Sequence, residues 1–250
     1  MGDGWDMLSI VIPTRNEEKY LGRLLESLKR QNFNDLEIIV SDADSSDRTR
    51  EIADSYSVRI SEGGLLPAIG RNKGARMARG ENLLFLDADV VLPEEYLREN
   101  YSEFLRRGLD IATTFVRPIS NRKIDKIIYK VINKGYKWYE KRSPAAEGHH
   151  IFVKREFFDK VNGFDEDIIM NEDLDFVQNV WKNGGKFGLL HGRPISVSVR
   201  RLKKEGRVKF VLRGIYGILY YKIKGPMRKG SKFAVNYKFE GYDDIEDSDF

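Results

Sequence analysis

The run Leu83-Leu84-Phe85-Leu86, between Gly80 and Pro93, constrains this chain more than any other stretch. Four apolar residues in a row fit a strand buried on both faces, as in a parallel sheet. The run continues as Asp87-Ala88-Asp89-Val90-Val91. Residues i and i+2 of a strand point to one side, so on this reading Asp87 and Asp89 converge. Two neighbouring buried carboxylates repel unless a cation sits with them. A hard divalent ion, with phosphate as its further ligand, suits such a pair. A solvated acidic turn at the strand end is the plainer alternative.

The preceding chain repeats this pattern. Leu8 to Ile12 is a short strand stopped by Pro13, and a helix follows with Leu21, Leu24, Leu25 and Leu28 at helical spacing. Leu36 to Val40 is a second strand, running into Ser41-Asp42-Ala43-Asp44-Ser45-Ser46-Asp47. A helix from Arg48 to Tyr56, a strand at Val58 to Ile60 and a helix from Arg71 to Arg79 lead to the Leu83 strand. Strands alternating with helices describe βαβ units on a parallel sheet. Ligands of such sheets sit beyond the carboxyl ends of the strands. Polar clusters fall there three times: after Ile12, after Val40 and after Leu86.

Further on, a helix is expected from Pro93 to Arg107, a strand at Ile111 to Val116 and a basic helix from Lys123 to Lys141. The stripe Ile124, Ile127, Ile128, Val131, Ile132, Gly135, Tyr136 and Tyr139 on that helix reads as core packing ahead of an acceptor or lipid contact. Gly148 to Lys154 reads as a strand, Asn171 to Asn183 as a helix, and Phe187 to Leu190 and Ile195 to Val199 as two strands.

Composition bounds the class. The 250 residues are 41% hydrophobic and include no cysteine, so disulfides and thiolate metal sites are excluded. No apolar run approaches the ~20 residues of a membrane span, and Met1 to Met7 has no apolar signal core. The chain is therefore expected to be cytoplasmic, as a soluble or peripherally attached protein. The net charge is only +4, but Arg200 to Lys232 holds 12 Lys/Arg against one acid, Glu205. Glu240 to Phe250 holds six acids and no base.

Four segments, in order, carry a resemblance. They are Ser9 to Glu17, Ile38 to Asp42 with Asp47-Arg48-Thr49, Gly70-Arg71-Asn72-Lys73-Gly74 running into Asp87-Ala88-Asp89, and Gly163-Phe164-Asp165-Glu166 followed by Glu172-Asp173-Leu174-Asp175. Together the chain resembles a family 2 glycosyltransferase of the GT-A fold. That implies an α/β domain over residues 1–200 with a Rossmann-like, mostly parallel sheet flanked by helices. A basic amphipathic helical extension follows over 201–239, then an acidic tail over 240–250.

The resemblance implies roles. Pro13, Thr14, Arg15 and Glu17 match the loop along the nucleoside, and Asp42 matches the acceptor of the pyrimidine N–H. Ala43 and Asp44 depart from the commoner Asp-Asp-Gly pattern. Arg71 and Asn72 match a segment near the diphosphate. Asp89, with Asp87, would hold Mg2+ or Mn2+, while Asp87 and Ala88 border the nucleotide. Asp173 matches the general base, its pKa raised by a neighbour such as Glu172. His191 falls where some relatives place a metal ligand. His149 and His150 are candidate acceptor contacts, with only one facing the cleft if they alternate along a strand.

These roles make the chain an inverting transferase with a UDP- or GDP-sugar donor, UDP favoured, and a hydroxyl or phosphate acceptor on a glycan or lipid carrier. Arg200 and Arg201 are expected near an acceptor phosphate. Val208 to Lys224, apolar on a broad face and basic at its edges, is expected either at an anionic membrane surface or packed back on the core. A sugar-nucleotide pyrophosphorylase would want a Gly-rich basic loop after the first strand, where Pro13-Thr14-Arg15-Asn16 stands. The dehydrogenase signature Gly-x-Gly-x-x-Gly is also absent there. A basic membrane- or nucleic-acid-binding module explains Arg200 to Lys232 but leaves the strand-end acids without a purpose, and no nucleic-acid partner is expected.

Overall fold

The structure, a computed structural model, describes residues 7–229. The acidic tail and the end of the basic extension lie outside the described residues. Strands β1 (Leu8–Thr14), β2 (Leu36–Asp42), β3 (Arg59–Glu62) and β4 (Asn82–Leu86) pair in parallel in the order β3-β2-β1-β4. Helices α1 (Leu21–Lys29), α2 (Thr49–Ser55) and α3 (Pro67–Met77) make the crossovers. This is the βαβ half that the alternation requires.

The second half adds β5 (Val90–Val91), α4 (Tyr96–Arg106), β6 (Ile111–Pro118), α5 (Lys123–Tyr139), β7 (His150–Lys154), α6 (Arg155–Lys160), β8 (Ile168–Met170), α7 (Glu172–Lys182) and β9 (Phe187–Val197). Strand β7 enters antiparallel between β4 and β6, and β9 runs parallel to β6 and antiparallel to β5. The sheet is therefore mixed, with order β3-β2-β1-β4-β7-β6-β9-β5. The two strands expected at Phe187 and Ile195 are one continuous strand.

Both faces of the sheet are covered, as continuous apolar strands demand. Ile10, Ile12, Leu84 and Leu86 enter one core with α1 and α4, while Val11, Leu83 and Phe85 enter the other with α3, α6 and α7. In the second core Phe85 meets Phe164 edge-on at 5.0 Å, and Phe164 stacks on Phe176 at 4.1 Å. These aromatics lie beneath the cleft and fix the Gly163-Phe164-Asp165-Glu166 turn.

Two expectations are corrected here. Helix α5 does not bury its whole apolar stripe: Ile124, Ile127 and Val131 are exposed. Asp125, fully buried, accepts from Ser120 Oγ at 2.7 Å, and Asn133 exchanges two hydrogen bonds with the Val116 backbone. Those polar anchors rotate Tyr129 and Tyr136 inward and the isoleucines outward. The boundary expected after residue 200 falls within helix α8 (Arg200–Glu205), whose Leu202 is buried in the first core.

Helix α9 (Arg207–Lys224) follows, and a short β10 (Met227–Arg228) pairs with β8. No helix among the described residues is long and apolar enough to cross a membrane.

Candidate functional site

The first three strands deliver their polar ends together. Thr14 stands opposite Asp42 in register and donates to its Oδ1 at 3.2 Å. Asp42, buried, also accepts from Ser45 Oγ at 2.6 Å and Ser45 N at 3.1 Å. Its carboxylate thus forms an Asx-type turn that shapes the loop after β2. Asn16 adopts φ 54°, a left-handed position asparagine tolerates, and Glu17 N donates to Thr49 Oγ1 at 2.8 Å. Arg15 points to solvent.

The strand reading of Asp87 and Asp89 is corrected. Strand β4 stops at Leu86 and a turn follows at Ala88 and Asp89, so strand alternation does not set the two side chains, although both carboxylates lie near enough to Glu17 to act on it. Each finds its own arginine. Arg71 Nη2 donates to Asp87 Oδ1 at 2.9 Å and Arg71 Nη1 to Glu172 Oε1 at 2.7 Å. Arg200 Nε lies 2.9 Å from Asp89 Oδ2, while its two terminal nitrogens clasp Glu17 at 2.8 Å each. Two guanidiniums thereby each pair with two carboxylates drawn from the ends of β1, β4 and α7.

The electrostatics differ within this cluster. Burial raises the Glu17 carboxyl to about 7, against the opposing pull of Arg200. Burial likewise raises Asp173 to about 7, with Glu172 adding to the shift and Arg71 opposing it. For Asp87 burial acts upward, but Arg71, His149 and Arg201 outweigh it and hold the carboxyl below its usual range. Arg71 loses to burial and gains from Asp87, Glu172 and Asp173, and stays charged.

Asp173 sits in the first turn of α7 after Asn171, whose φ of 63° starts the helix. Its Oδ2 accepts from Gly148 N at 2.6 Å and its Oδ1 from Leu174 N at 2.7 Å. Gly148 is a position sequence reasoning missed: any Cβ there would collide with the Arg71 guanidinium. Its only sequence signal is a glycine immediately before the strand that carries the two histidines. Tyr20 was missed too; its ring lies 4.7 Å beneath the Arg200 guanidinium.

Other expected residues fall elsewhere. Asn72 spends its side chain on the Gly163 turn, donating to Phe164 O at 2.8 Å and accepting from Phe164 N at 2.9 Å. It is a brace for that turn. His150 is fully buried, its Nε2 within 2.7 Å of both Thr113 Oγ1 and Thr114 O. Burial holds its pKa well below the ordinary histidine value, and the neutral ring belongs to the core, so it is no acceptor contact. His149 is the histidine beside Asp87, with Nδ1 3.3 Å from Glu147. His191 is exposed, its ring against Phe115 and its N–H donating to Glu103; it makes no contact with Asp87 or Asp89, which corrects its candidacy as a metal ligand. Arg201 is exposed and near enough to Asp87 to act on its carboxyl.

The donor set fits a hard cation. Asp87 and Asp89 offer oxygen only, and both already accept a positive partner. Among the described residues no three His, Cys, Asp or Glu side chains gather as a metal cage. Mg2+ is commonly bound by one or two carboxylates plus substrate phosphates, so the pair suffices.

Known proteins are similar to this chain in sequence and fold. The chain is 29% identical over 133 residues to poly(ribitol-phosphate) beta-N-acetylglucosaminyltransferase TarS of Staphylococcus aureus, covering 49% of this chain and 23% of TarS. It is 29% identical over 238 residues to chondroitin synthase of Escherichia coli, covering 86% of this chain and 34% of the synthase. Against the uncharacterized glycosyltransferase EpsJ of Bacillus subtilis it is 29% identical over 204 residues, covering 74% and 58%. The chain therefore spans from about a quarter to under two thirds of these relatives' lengths.

Among solved structures, TarS 1-349 superposes with a TM-score of 0.64 at 21% identity, covering 82% of this chain and 64% of that one. The Pyrobaculum calidifontis mannosyltransferase PcManGT, in complex with GDP-Man and Mn2+, superposes with a TM-score of 0.64 at 18% identity, covering 86% and 65%. At those identities the likeness is one of fold, and the fold is GT-A. The model of the family described as Glycosyl transferase family 2 matches residues 9–160, and the chain belongs to that family.

Proposed function

We propose that this chain transfers a sugar from a nucleoside diphosphate donor to a hydroxyl or phosphate acceptor, inverting the anomeric carbon. The observation that carries the reading is the clustering of Glu17, Asp87, Asp89 and Glu172 around Arg71 and Arg200, beside Asp173. Structural neighbours solved with UDP-GlcNAc and with GDP-Man and Mn2+ support a nucleotide-sugar donor. UDP is favoured over GDP on the match of Asp42 to the residue that accepts from a pyrimidine N–H in the family.

Asp89, with Asp87, would hold Mg2+ or Mn2+, which when bound supplies Lewis-acid neutralisation of the departing diphosphate. Arg71 and Arg200 bring fixed positive charge to the same place. A guanidinium that releases a carboxylate can face a phosphate with the same planar fork. Asp173 takes the proton from the acceptor hydroxyl, and a pKa near 7 suits that transfer at neutral pH. Gly148 N and Leu174 N hold both of its oxygens, fixing the carboxylate before the acceptor arrives. Attack in line with the departing group inverts the configuration.

A nucleotide-release screen over UDP-, GDP- and dTDP-sugars, with Mg2+ or Mn2+, tests this. Turnover of one donor, abolished in Asp173→Asn while donor binding survives, is the expected result. Full turnover in that variant removes Asp173 from the reaction, and no turnover with any donor removes the reading. The acceptor is placed on a glycan or lipid carrier, at the cytoplasmic face of an anionic membrane if lipid-linked.

A further inference from the structure

Two helices beside the cleft carry apolar side chains that nothing among the described residues covers. On α5 these are Ile124, Ile127, Val131 and Trp138, from 48% to 63% exposed. Their spacings of about three, four and seven residues put them on one helical face. On α9 they are Val208, Leu212, Ile215, Leu219 and Ile223, from 51% to 78% exposed, again at spacings near three and four.

The two helices are tied together at both ends. Arg207, opening α9, donates from Nε to Asp125 Oδ1 at 2.6 Å near the start of α5. Lys222 lies 4.4 Å over the Tyr139 ring, at the end of α5. The tied positions are about 15 residues apart on each helix, so the axes run side by side in the same direction for ~20 Å. Helix α9 is also anchored inward, by Asn171 Nδ2 donating to Gly217 O at 3.1 Å and Tyr221 Oη donating to Asp175 at 2.9 Å. Its exposed face is thus fixed outward.

Between α9, α7 and the end of α5 opens a cavity of about 240 Å³ lined by Tyr139, Leu174, Gln178, Lys182, Ile218 and Tyr221. Leu174, one of its lining residues, shares the first turn of α7 with Asp173, so the gap opens beside the turn that carries that carboxylate.

Charge selects the occupant. Lys123, Lys126, Lys130, Lys134 and Lys137 on α5, with Lys209, Lys222 and Lys224 on α9, are all exposed. The only acid on either helix is Asp125, buried and held by Arg207. A second copy would bring this basic face against itself, and like charges oppose such a self-contact. The acidic segment 240–250 offers charge but only Tyr242, Ile245 and Phe250 as sizeable apolar groups, while Phe233, Val235, Tyr237 and Phe239 before it come with Lys232 and Lys238 and no acid up to residue 239, the wrong charge for a lysine-edged face. Apolar stripes edged by lysine match hydrocarbon beneath anionic headgroups.

We propose that α5 and α9 form a two-helix platform that seats the chain on an anionic bilayer, with the gap between them admitting a lipid-linked acceptor toward Asp173. The seating stands on its own; the path for the acceptor rests on the transferase reading. The sequence pattern set core packing ahead of a lipid contact for α5, and the exposure of its stripe reverses that order.

Flotation of the full chain with vesicles of phosphatidylcholine containing one part in three phosphatidylglycerol tests the platform. The expected result is co-flotation at least tenfold above that with phosphatidylcholine alone. Replacing Ile127, Val131 and Trp138 together by Ser should cut it at least tenfold at unchanged Tm. The same loss is expected for Leu212, Ile215 and Leu219 together. Lys126→Gln with Lys130→Gln should weaken binding about fivefold per charge.

Absence of flotation overturns the proposal, as does flotation indifferent to the α5 substitutions. A dimer in sedimentation that those substitutions dissolve, without flotation, would make the face a self-interface and overturn it. Flotation appearing only after the acids of 240–250 are neutralised would name that tail as the occupant and overturn it equally. Nucleotide release measured without lipid reports separately on the transferase reading.

Discussion

The two guanidinium clusters of the cleft share a plan and differ in setting. Arg71 comes from α3, its side chain 3% exposed, lies 5.3 Å over the Phe164 ring and is packed against Gly148. Arg200 is the first residue of a six-residue helix, its side chain 11% exposed, resting on Tyr20. The carboxylates differ as well: Asp87, on Arg71, is held ionised, whereas Glu17, on Arg200, is raised to about 7 and can take a proton. Arg71 is therefore framework. On the proposed transferase reading, Arg200 is the one of the two that would turn from its carboxylates to a phosphate.

Substitutions in each cluster put that contrast at risk. Asp173→Asn, at the Arg71 end, should lower turnover about a thousandfold while leaving donor affinity within about twofold, by nucleotide release and calorimetry. Arg71→Met strips Asp87 and Glu172 of a buried partner and should cost about 3–5 kcal/mol, lowering Tm by roughly 10 °C in a thermal melt. Arg200→Met should cost less stability, about 1–2 kcal/mol, because Glu17 can neutralise itself; its main effect should be about tenfold weaker donor binding. Equal stability losses for the two arginines would erase the distinction.

The pH dependence separates the clusters by sign. Glu17 has a folded pKa raised from 4.5 to about 7, so the stability it contributes is full below 4.5 and is lost as pH rises through about 7. Asp87 works in the opposite sense: its contribution is present above its ordinary value of 3.8 and fades as the solution is acidified. Glu17→Gln should flatten the fall in Tm between pH 5 and 7 without touching the acid limb. Turnover should rise with pH through about 7 as Asp173 ionises. The smallest effect is expected at His191: with the ring exposed, His191→Ala should change stability by under ~0.5 kcal/mol and leave any metal response intact.

The same contrast explains how much was legible in the sequence. Residues that act through local pattern were readable: β1, β2 and β4 announce themselves by apolar runs, and Glu17, Asp42 and Asp89 by following them. The βαβ half of the sheet followed from alternation. The antiparallel entry of β7 did not, because pairing direction across some 65 residues leaves no periodicity. Arg200 was expected beside an acceptor phosphate, not among the strand-end acids, for its partners Glu17 and Asp89 lie 183 and 111 positions away. Only folding brings them together. The strand drawn through Asp87 and Asp89 failed because a strand period was extended over a turn, and the stripe on α5 was read as core because Asp125 was not weighed as a buried anchor.

If the strand-end acids and their arginines form one site for a nucleoside diphosphate with a divalent cation, ligand and metal must stabilise the fold jointly. The direct test is the Tm of the full chain with UDP or GDP, with and without Mn2+, in the native sequence and in Asp89→Asn. At a hundredfold excess over Kd the stabilisation should be about 2.7 kcal/mol, a rise of roughly 5–10 °C. It should require nucleotide and metal together and vanish in the variant. A shift that is the same without Mn2+, or that survives Asp89→Asn, would contradict the account.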